Sequence, residues 1–156
     1  MPVSSAALIF DDHGRLLIVR PTYKSGWLLP GGQMESNGES PWDACRREVF
    51  EETRLSVAAG QLVCVDFIPP HRSDPGGVRF LFDCGRISAA QIASIIPAAG
   101  ELDEHRFAPV PEALSLLRPA VSRRVRHALG AAGPSYLERG RPVAAVSCGP
   151  VTGGGV

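Results

Sequence analysis

The stretch GGQMESNGESPWDACRREVFEETRL, from Gly31 to Leu55, organises the rest of the chain. It begins with two glycines, continues through a polar loop and ends in a segment with strong helix signals. Ser40 is suited to cap a helix, Pro41 to occupy its first position and Asp43 to complete a capping box. The stretch therefore predicts a glycine loop followed by a helix from about residue 40 to residue 54.

Three glutamates share one side of this predicted helix. At roughly 100° of rotation per residue, Glu48, Glu51 and Glu52 fall on one face beside an apolar stripe. Like charges at this spacing repel by roughly 0.2–0.5 kcal/mol per pair, and here they lie in the half of the helix where the macrodipole favours cations. Arg47 cannot neutralise all three. The pattern therefore favours a divalent cation held by oxygen ligands, with Mg²⁺ as the first candidate and Mn²⁺ as the second.

The whole stretch resembles the signature of Nudix hydrolases, a glycine and a glutamate followed by Arg-Glu-hydrophobic-x-Glu-Glu-x-Gly-hydrophobic. The matching residues are Gly32, Glu39, Arg47, Glu48, Val49, Glu51, Glu52 and Leu55. Two features depart from the signature: the loop from Gln33 to Gly38 is one residue longer, and Arg54 replaces a glycine. A side chain in the left-handed conformation costs on the order of 1 kcal/mol, so we expect altered geometry at the end of the helix without loss of activity.

The resemblance implies a set of metal-binding and catalytic residues. The implied metal ligands are the carbonyl oxygen of Gly32 and the carboxylates of Glu48, Glu51 and Glu52. Arg47 would orient these carboxylates, and Glu39 would hold Arg47 in turn. Some members of the family recruit a further glutamate from a late acidic segment, which makes Glu101 and Glu104 additional catalytic candidates.

Four residues outside the signature are candidates for binding the substrate: Arg20, Lys24, His71 and Arg72. Arg20 ends a predicted strand and Lys24 follows it in a loop, so both could reach phosphate oxygens near the glycines. His71 and Arg72 lie in a later loop and could contact a base, a sugar or a second phosphate. For each of the four, the simpler interpretation is a solvated surface residue.

The order of predicted elements describes a protein of mixed α and β structure. Apolar, β-prone runs at 3–10 and 16–20 flank a polar turn and predict neighbouring antiparallel strands. Further strands are expected at 62–68 and 78–84, on either side of a loop, and helices at 87–96, 111–117 and 119–129. The resemblance implies an α/β fold of the Nudix type, an α/β/α sandwich with a mixed central sheet.

Domain organisation follows from length and composition. A chain of 156 residues with 44% hydrophobic content fits one globular domain, and we expect a single Nudix domain over residues 1–130. Residues 131–156 are expected to form an extension that is mobile at its glycine-rich end.

The charge balance and the cysteines indicate which partners and which cellular location to expect. Sixteen Lys and Arg residues balance sixteen Asp and Glu residues, so no global charge favours nucleic acid or a membrane surface. The four cysteines show no C-x-x-C pairing and are expected to be reduced. With no signal region and no long apolar run, we expect a cytoplasmic location. The sequence does not indicate an oligomeric state.

The expected function is metal-dependent hydrolysis of a phosphoanhydride bond in a nucleoside di- or triphosphate derivative. Oxidised nucleoside triphosphates, ADP-ribose and other nucleotide sugars are all candidate substrates. A Nudix-fold module that senses a nucleotide without hydrolysing it is the main alternative. An interaction protein using the basic final helix would need no metal, and an isoprenoid diphosphate isomerase would need a catalytic cysteine such as Cys64 or Cys84.

Overall fold

The computed structural model describes residues 1–150 and residue 153 of the chain. In chain order the elements are β1 (Val3–Phe10), β2 (Leu16–Pro21), β3 (Gly31–Gln33), α1 (Pro41–Thr53), β4 (Gln61–Ile68), β5 (Gly77–Arg86), α2 (Ala89–Ala93), β6 (Leu102–Ala108), α3 (Val110–Leu116), α4 (Pro119–Gly130), β7 (Ser135–Glu138) and β8 (Arg141–Pro142). None of the helices in this described part of the chain has the length and apolar character needed to cross a membrane.

The strands form one mixed sheet. Its order is β6-β2-β1-β5-β4-β7-β8, and β3 pairs with β1 beside this path. Strand β1 runs antiparallel to β2 and β3 but parallel to β5. The expected antiparallel pairing of the first two strands is confirmed, and so is the mixed α/β sheet of the predicted fold class.

Helices cover both faces of the sheet because side chains alternate along each strand. On one face, Ala7 and Ile9 of β1 join a buried cluster that includes Cys45 and Val49 of α1. On the other face, Leu8 joins a cluster formed with α3 and α4. The catalytic candidates of α1 therefore lie on the opposite side of the sheet from the basic final helix.

The first helix begins as predicted and ends differently. Ser40 and Asp43 form the reciprocal capping box, with side-chain to backbone distances of 3.1 and 3.2 Å. Arg54 takes the left-handed conformation itself, with φ 65° and ψ 11°. The expectation of a remodelled helix end is therefore wrong. The Arg54 guanidinium carbon lies 5.3 Å from the centroid of the Phe50 ring, a cation–π contact that offsets part of the backbone strain.

Two segments differ from the sequence-based expectation. The late acidic segment, to which the sequence analysis assigned no helix or strand, forms β6 and pairs antiparallel with β2. Helix α2 is shorter than the predicted 87–96, because Ser88 and Gln91 form a capping box that starts it at Ala89.

The chain after α4 also contributes to the sheet. Strand β7 pairs parallel with β4, and β8 pairs with β7, although the sequence predicted no element in this extension. At this edge the fully buried Asp66 of β4 accepts hydrogen bonds from Arg124 Nε at 2.7 Å and from the Gly140 backbone at 2.9 Å. The end that we expected to be mobile, at 151, 152 and 154–156, lies outside the described residues.

We expect Asp66→Ala to lower the free energy of unfolding by about 3 kcal/mol, because it leaves the largely buried Arg124 guanidinium without its partner. Urea denaturation measures the loss. Asp103→Ala, which removes an exposed carboxylate of β6, serves as the control and should change stability by less than about 0.5 kcal/mol. Equal effects of the two substitutions would contradict the structural role of Asp66.

Candidate active site

The two glycines of β3 bring the backbone against the carboxylates of α1. The backbone N–H of Gly31 donates to Glu52 Oε2 at 3.0 Å. The carboxylate of Glu48 occupies the space that a Cβ atom at Gly32 would need, so a side chain at Gly32 would displace it. At Gly31, where φ is 152°, a Cβ would collide with the backbone of β1. These contacts explain why both positions are glycine.

Arg47 connects α1 to the loop that precedes it. Its guanidinium donates two hydrogen bonds to Glu39, at 2.9 and 3.1 Å, in a bidentate arrangement. It also donates to Glu48 Oε1 at 3.0 Å, to Glu51 Oε2 at 3.2 Å and to the Gln33 carbonyl at 3.0 Å. The structure thus brings Arg47 and Glu39 together as expected, despite the longer loop. Their role in the reaction stays a prediction.

The carboxylates of α1 are only partly neutralised. Glu52 is 8% exposed, and burial raises its pKa to about 8 although the Gly31 N–H opposes this effect. The negative charges of Glu48, Glu101 and Glu51 raise the same pKa further. Burial also raises the pKa of Glu48, and the hydrogen bond from Arg47 only partly reverses this. One guanidinium therefore leaves this group of acids with excess negative charge.

The residues of this group fit a hard divalent cation. Three carboxylates on two adjacent turns, next to the carbonyl of Gly32, are the all-oxygen donors that Mg²⁺ and Mn²⁺ prefer. A cation would also relieve the repulsion that raises the pKa of Glu52. The donor set and its charge therefore support metal binding.

Glu101 and Glu104 lie in different surroundings. The loop that carries Glu101 is fixed to α1, since the Ala98 N–H donates to the Glu52 carbonyl at 3.0 Å. The charge of Glu101 raises the pKa values of Glu48 and Glu52, which places Glu101 with the carboxylates of α1. Glu104 instead pairs with Arg20 and Arg106, at 3.4 and 3.2 Å, on the sheet face away from α1. Of the two, Glu101 is the better placed.

A second compact group of possible metal ligands has another explanation. In the part of the chain that the structure describes, Asp11, Asp12 and His13 place one ligand atom each within 4.8 Å of one another, whereas the glutamates of α1 are not that closely spaced. Asp11 is fully buried and accepts bonds from the His13 backbone and from the backbone and Nε of Arg15. This carboxylate stabilises the β1–β2 turn.

An open cavity of about 800 Å³ lies on the other side of β3 from the carboxylates. Gly31 and Gly32 belong to its lining, so it adjoins the group of acids. The cationic residues that line it are Lys24, Arg79, Arg118, Arg123 and Arg124. Its size is within the usual range for ligand-binding pockets.

One of the four predicted substrate-binding residues lines the cavity, and the other three do not. Lys24 belongs to its lining, and its Nζ also lies 5.4 Å from the centroid of the Tyr23 ring. Arg20 does not line the cavity: it stacks on Trp27, at 5.7 Å, and pairs with Glu104. His71 and Arg72 are exposed in the β4–β5 turn, away from the cavity.

Sequence reasoning missed the four arginines of the cavity. Three of them come from the start of α4 or the residue before it, and Arg79 comes from β5. The sequence did not place the basic side of the final helix near the glycines of β3, because the packing of α4 on the sheet depends on the tertiary arrangement of the chain. The alternation of β5 would have shown which face Arg79 takes, but not that a cavity lies there.

The cysteines named for an isomerase lie elsewhere. Cys64 is fully buried in the cluster formed with α3 and α4, and Cys84 packs against the cluster around α1. Neither lines the cavity next to β3. The geometry therefore gives no support to this alternative.

Comparison with known proteins identifies the family. A model of the NUDIX domain matches residues 1–129. A MutT-like protein of Streptomyces ambofaciens is 40% identical over 63 residues, which is 40% of this chain and 40% of that protein's length.

Solved structures share the fold at low sequence identity. The MutT protein of Methanosarcina mazei has a TM-score of 0.69 and 22% identity, covering 81% of this chain and 91% of its own. The NUDIX domain of Shewanella oneidensis NrtR, solved with ADP-ribose, has a TM-score of 0.66 and 16% identity, covering 81% and 85%. The chain belongs to the Nudix family, as its sequence predicted. The matched segment spans about two fifths of the length of the Streptomyces ambofaciens relative.

We expect the metal-free protein, in EDTA, to lose stability as pH rises from about 5 to about 8. The folded-state pKa of Glu52, about 8, is above its ordinary value of 4.5, so folding favours the protonated acid. This contribution is fully present below pH 4.5 and is lost as pH rises through about 8.

Urea denaturation across this pH range measures the effect in the wild type and in Glu52→Gln. The variant should show a clearly weaker dependence, with a remainder from Glu48, whose pKa is also raised. Glu112→Gln, an exposed acid of α3, is the control and should behave as the wild type. An unchanged pH dependence in Glu52→Gln would show that this carboxyl is not the titrating group.

Proposed function

We propose that the protein hydrolyses a phosphoanhydride bond in a nucleoside di- or triphosphate derivative, using Mg²⁺ or Mn²⁺. The observation that carries this proposal is the placement of buried, under-neutralised carboxylates and a cationic cavity on two sides of the same glycine strand. The proposed ligands are Glu48, Glu51, Glu52 and the Gly32 carbonyl. We further propose that the protein acts on a small-molecule nucleotide in the cytoplasm.

A bound divalent cation would neutralise phosphate charge and promote ionisation of water. The chain's own residues prepare the site for this chemistry. Arg47 fixes the orientation of Glu48 and Glu51 through hydrogen bonds, and Glu39 holds Arg47 against rotation. The Gly31 N–H fixes Glu52. Such support keeps carboxylates in position as charge develops on the phosphate oxygens.

The reaction needs a group that accepts a proton. A water oxygen forms a bond to one phosphorus while the bridging P–O bond breaks, and the departing phosphate carries away the bonding electron pair. A base takes the proton from the water. Glu101 is our candidate, because its charge acts on both Glu48 and Glu52 while its backbone carbonyl accepts a hydrogen bond of 2.9 Å from the N–H of Thr22, the residue after β2.

The substrate class is proposed from the cavity together with the relatives. The Shewanella oneidensis domain binds ADP-ribose, which makes that compound a first test substrate alongside nucleoside triphosphates and nucleotide sugars. The carboxylates would act at the diphosphate, while the cavity beyond Gly31 and Gly32 would hold another part of the same molecule.

The deciding experiment measures product release from this panel with Mg²⁺, Mn²⁺ or EDTA. Glu52→Gln should reduce the metal-dependent rate by about 10²–10³-fold or more, because it removes a charged ligand. Glu112→Gln, on α3 and paired with Arg106, should retain activity. Tight binding without hydrolysis across the whole panel would favour a nucleotide-sensing module instead.

A second measurement separates the two late glutamates. We expect Glu101→Gln to lower kcat by about 10²–10⁴-fold, with a smaller effect on KM, if this carboxylate accepts the proton. Glu104→Gln removes only a partner of Arg20 and Arg106 and should change kcat far less. A larger loss in Glu104→Gln than in Glu101→Gln would reverse this assignment.

A further inference from the structure

The cavity beside β3 concentrates positive charge in a chain whose formal net charge is zero. Of its five cationic residues, Arg124 is neutralised by Asp66 at 2.7 Å. Within the described part of the chain, the other four form no ion pair with a carboxylate, and no acid belongs to the lining. An excess of positive charge therefore faces the space where a ligand would enter.

Arg79 shows that this arrangement is electrostatically strained. Its side chain lies at the back of the cavity in β5, where its donors reach only the Pro2 and Gly76 carbonyls, at 3.5 and 3.4 Å. Burial lowers its pKa and so does the charge of Arg124, while the charges of Asp74 and Asp66 act in the opposite direction. A guanidinium remains charged under such conditions. An anion in the cavity would give Arg79 the charged partner that it lacks among the described residues.

The cavity offers little for recognising a base by stacking. The aromatic residues in its lining are Tyr23 and Phe80. Phe80 turns its ring to the α1 face of the sheet, where it stacks on Phe82 at 6.4 Å, and Tyr23 is 68% exposed. The lining of the cavity therefore favours a ligand recognised by its negative charge over a base recognised by stacking on an aromatic ring.

We propose that this cavity binds a second phosphate group of the substrate, remote from the anhydride that is cleaved. The preferred substrate class is then a nucleotide derivative that carries, in addition to the anhydride, a further phosphate on its nucleoside. Guanidinium groups match phosphate oxygens in bidentate geometry, and Arg118 and Arg123 are exposed residues of the cavity lining. The identity of the cleaved bond rests on the proposed function, while the binding of a phosphate in the cavity does not.

The binding test uses EDTA, so that no metal helps the carboxylates to hold an anion. Isothermal titration calorimetry compares adenosine 3′,5′-bisphosphate with adenosine 5′-monophosphate. We expect the bisphosphate to bind about tenfold more tightly, as one additional set of charge-assisted hydrogen bonds gives. Equal affinity for the two compounds would overturn the proposal.

Three variants of the same region locate the binding. Arg118→Ala and Arg123→Ala should each weaken bisphosphate binding about fivefold to tenfold and reduce its advantage over the monophosphate. Arg126→Ala is the matched control, because Arg126 is an exposed arginine of α4 that does not line this cavity. A loss in Arg126→Ala as large as in Arg118→Ala would indicate non-specific attraction and overturn the proposal.

Measurements of turnover distinguish the proposed phosphate site from the proposed hydrolase activity. With Mg²⁺, kcat/KM for ADP-ribose 2′-phosphate should exceed that for ADP-ribose about tenfold, and Arg118→Ala should remove most of the difference. If neither compound is hydrolysed while the binding pattern holds, the proposed function fails and the phosphate site stands. If both are hydrolysed equally and the arginine variants have no effect, the phosphate site fails and the hydrolase stands.

Discussion

The hydrogen bonds of Arg47 are the interaction on which the candidate site depends. One guanidinium joins Glu39 and the Gln33 carbonyl of the loop to Glu48 and Glu51 of α1. Without it, the carboxylates of the helix would repel one another with no fixed orientation, and the long polar loop would have no charged anchor. Both carboxylate oxygens of Glu39 accept hydrogen bonds from Arg47. The additional loop residue therefore does not separate this carboxylate from the guanidinium.

The backbone of β3 also constrains the carboxylates of α1. Gly31 and Gly32 let a strand approach the helix so closely that Glu48 lies where a side chain would otherwise be. This approach buries Glu52 and raises its pKa, so the same geometry that places the acids together also makes them repel. A protein retains mutually repelling buried acids where a bound ligand relieves their repulsion. Perturbed pKa values accordingly cluster at functional sites. The loss of stability that we predict for the metal-free protein therefore has the same origin as the proposed metal binding.

The local part of this arrangement was predictable from sequence, and the tertiary part was not. The capping box at Ser40, the shared face of Glu48 and Glu52 and the reach of Arg47 all follow from helix geometry over a few residues. The different surroundings of Glu101 and Glu104 depend on the pairing of β6 with β2, which the acidic segment did not reveal. The arginines of the cavity come from distant parts of the chain, so no short motif contains them. At Arg54 the sequence argument failed for a local reason: the contact of its guanidinium with the Phe50 ring supports a backbone conformation that propensity alone disfavours.

The extension after α4 contributes both to the stability of the fold and to the distribution of charge in the cavity. Strand β7 adds to the sheet beside β4, and the turn that follows it supplies the Gly140 N–H to Asp66. Asp66 in turn holds Arg124, so one acid both anchors α4 and neutralises one charge of the cavity. In the part of the chain that the structure describes, Arg118 and Arg123 have no acidic partner in the cavity. The result is a site in which negative charge on one side of β3 suits a cation, and positive charge on the other side suits the phosphates that this cation would act upon.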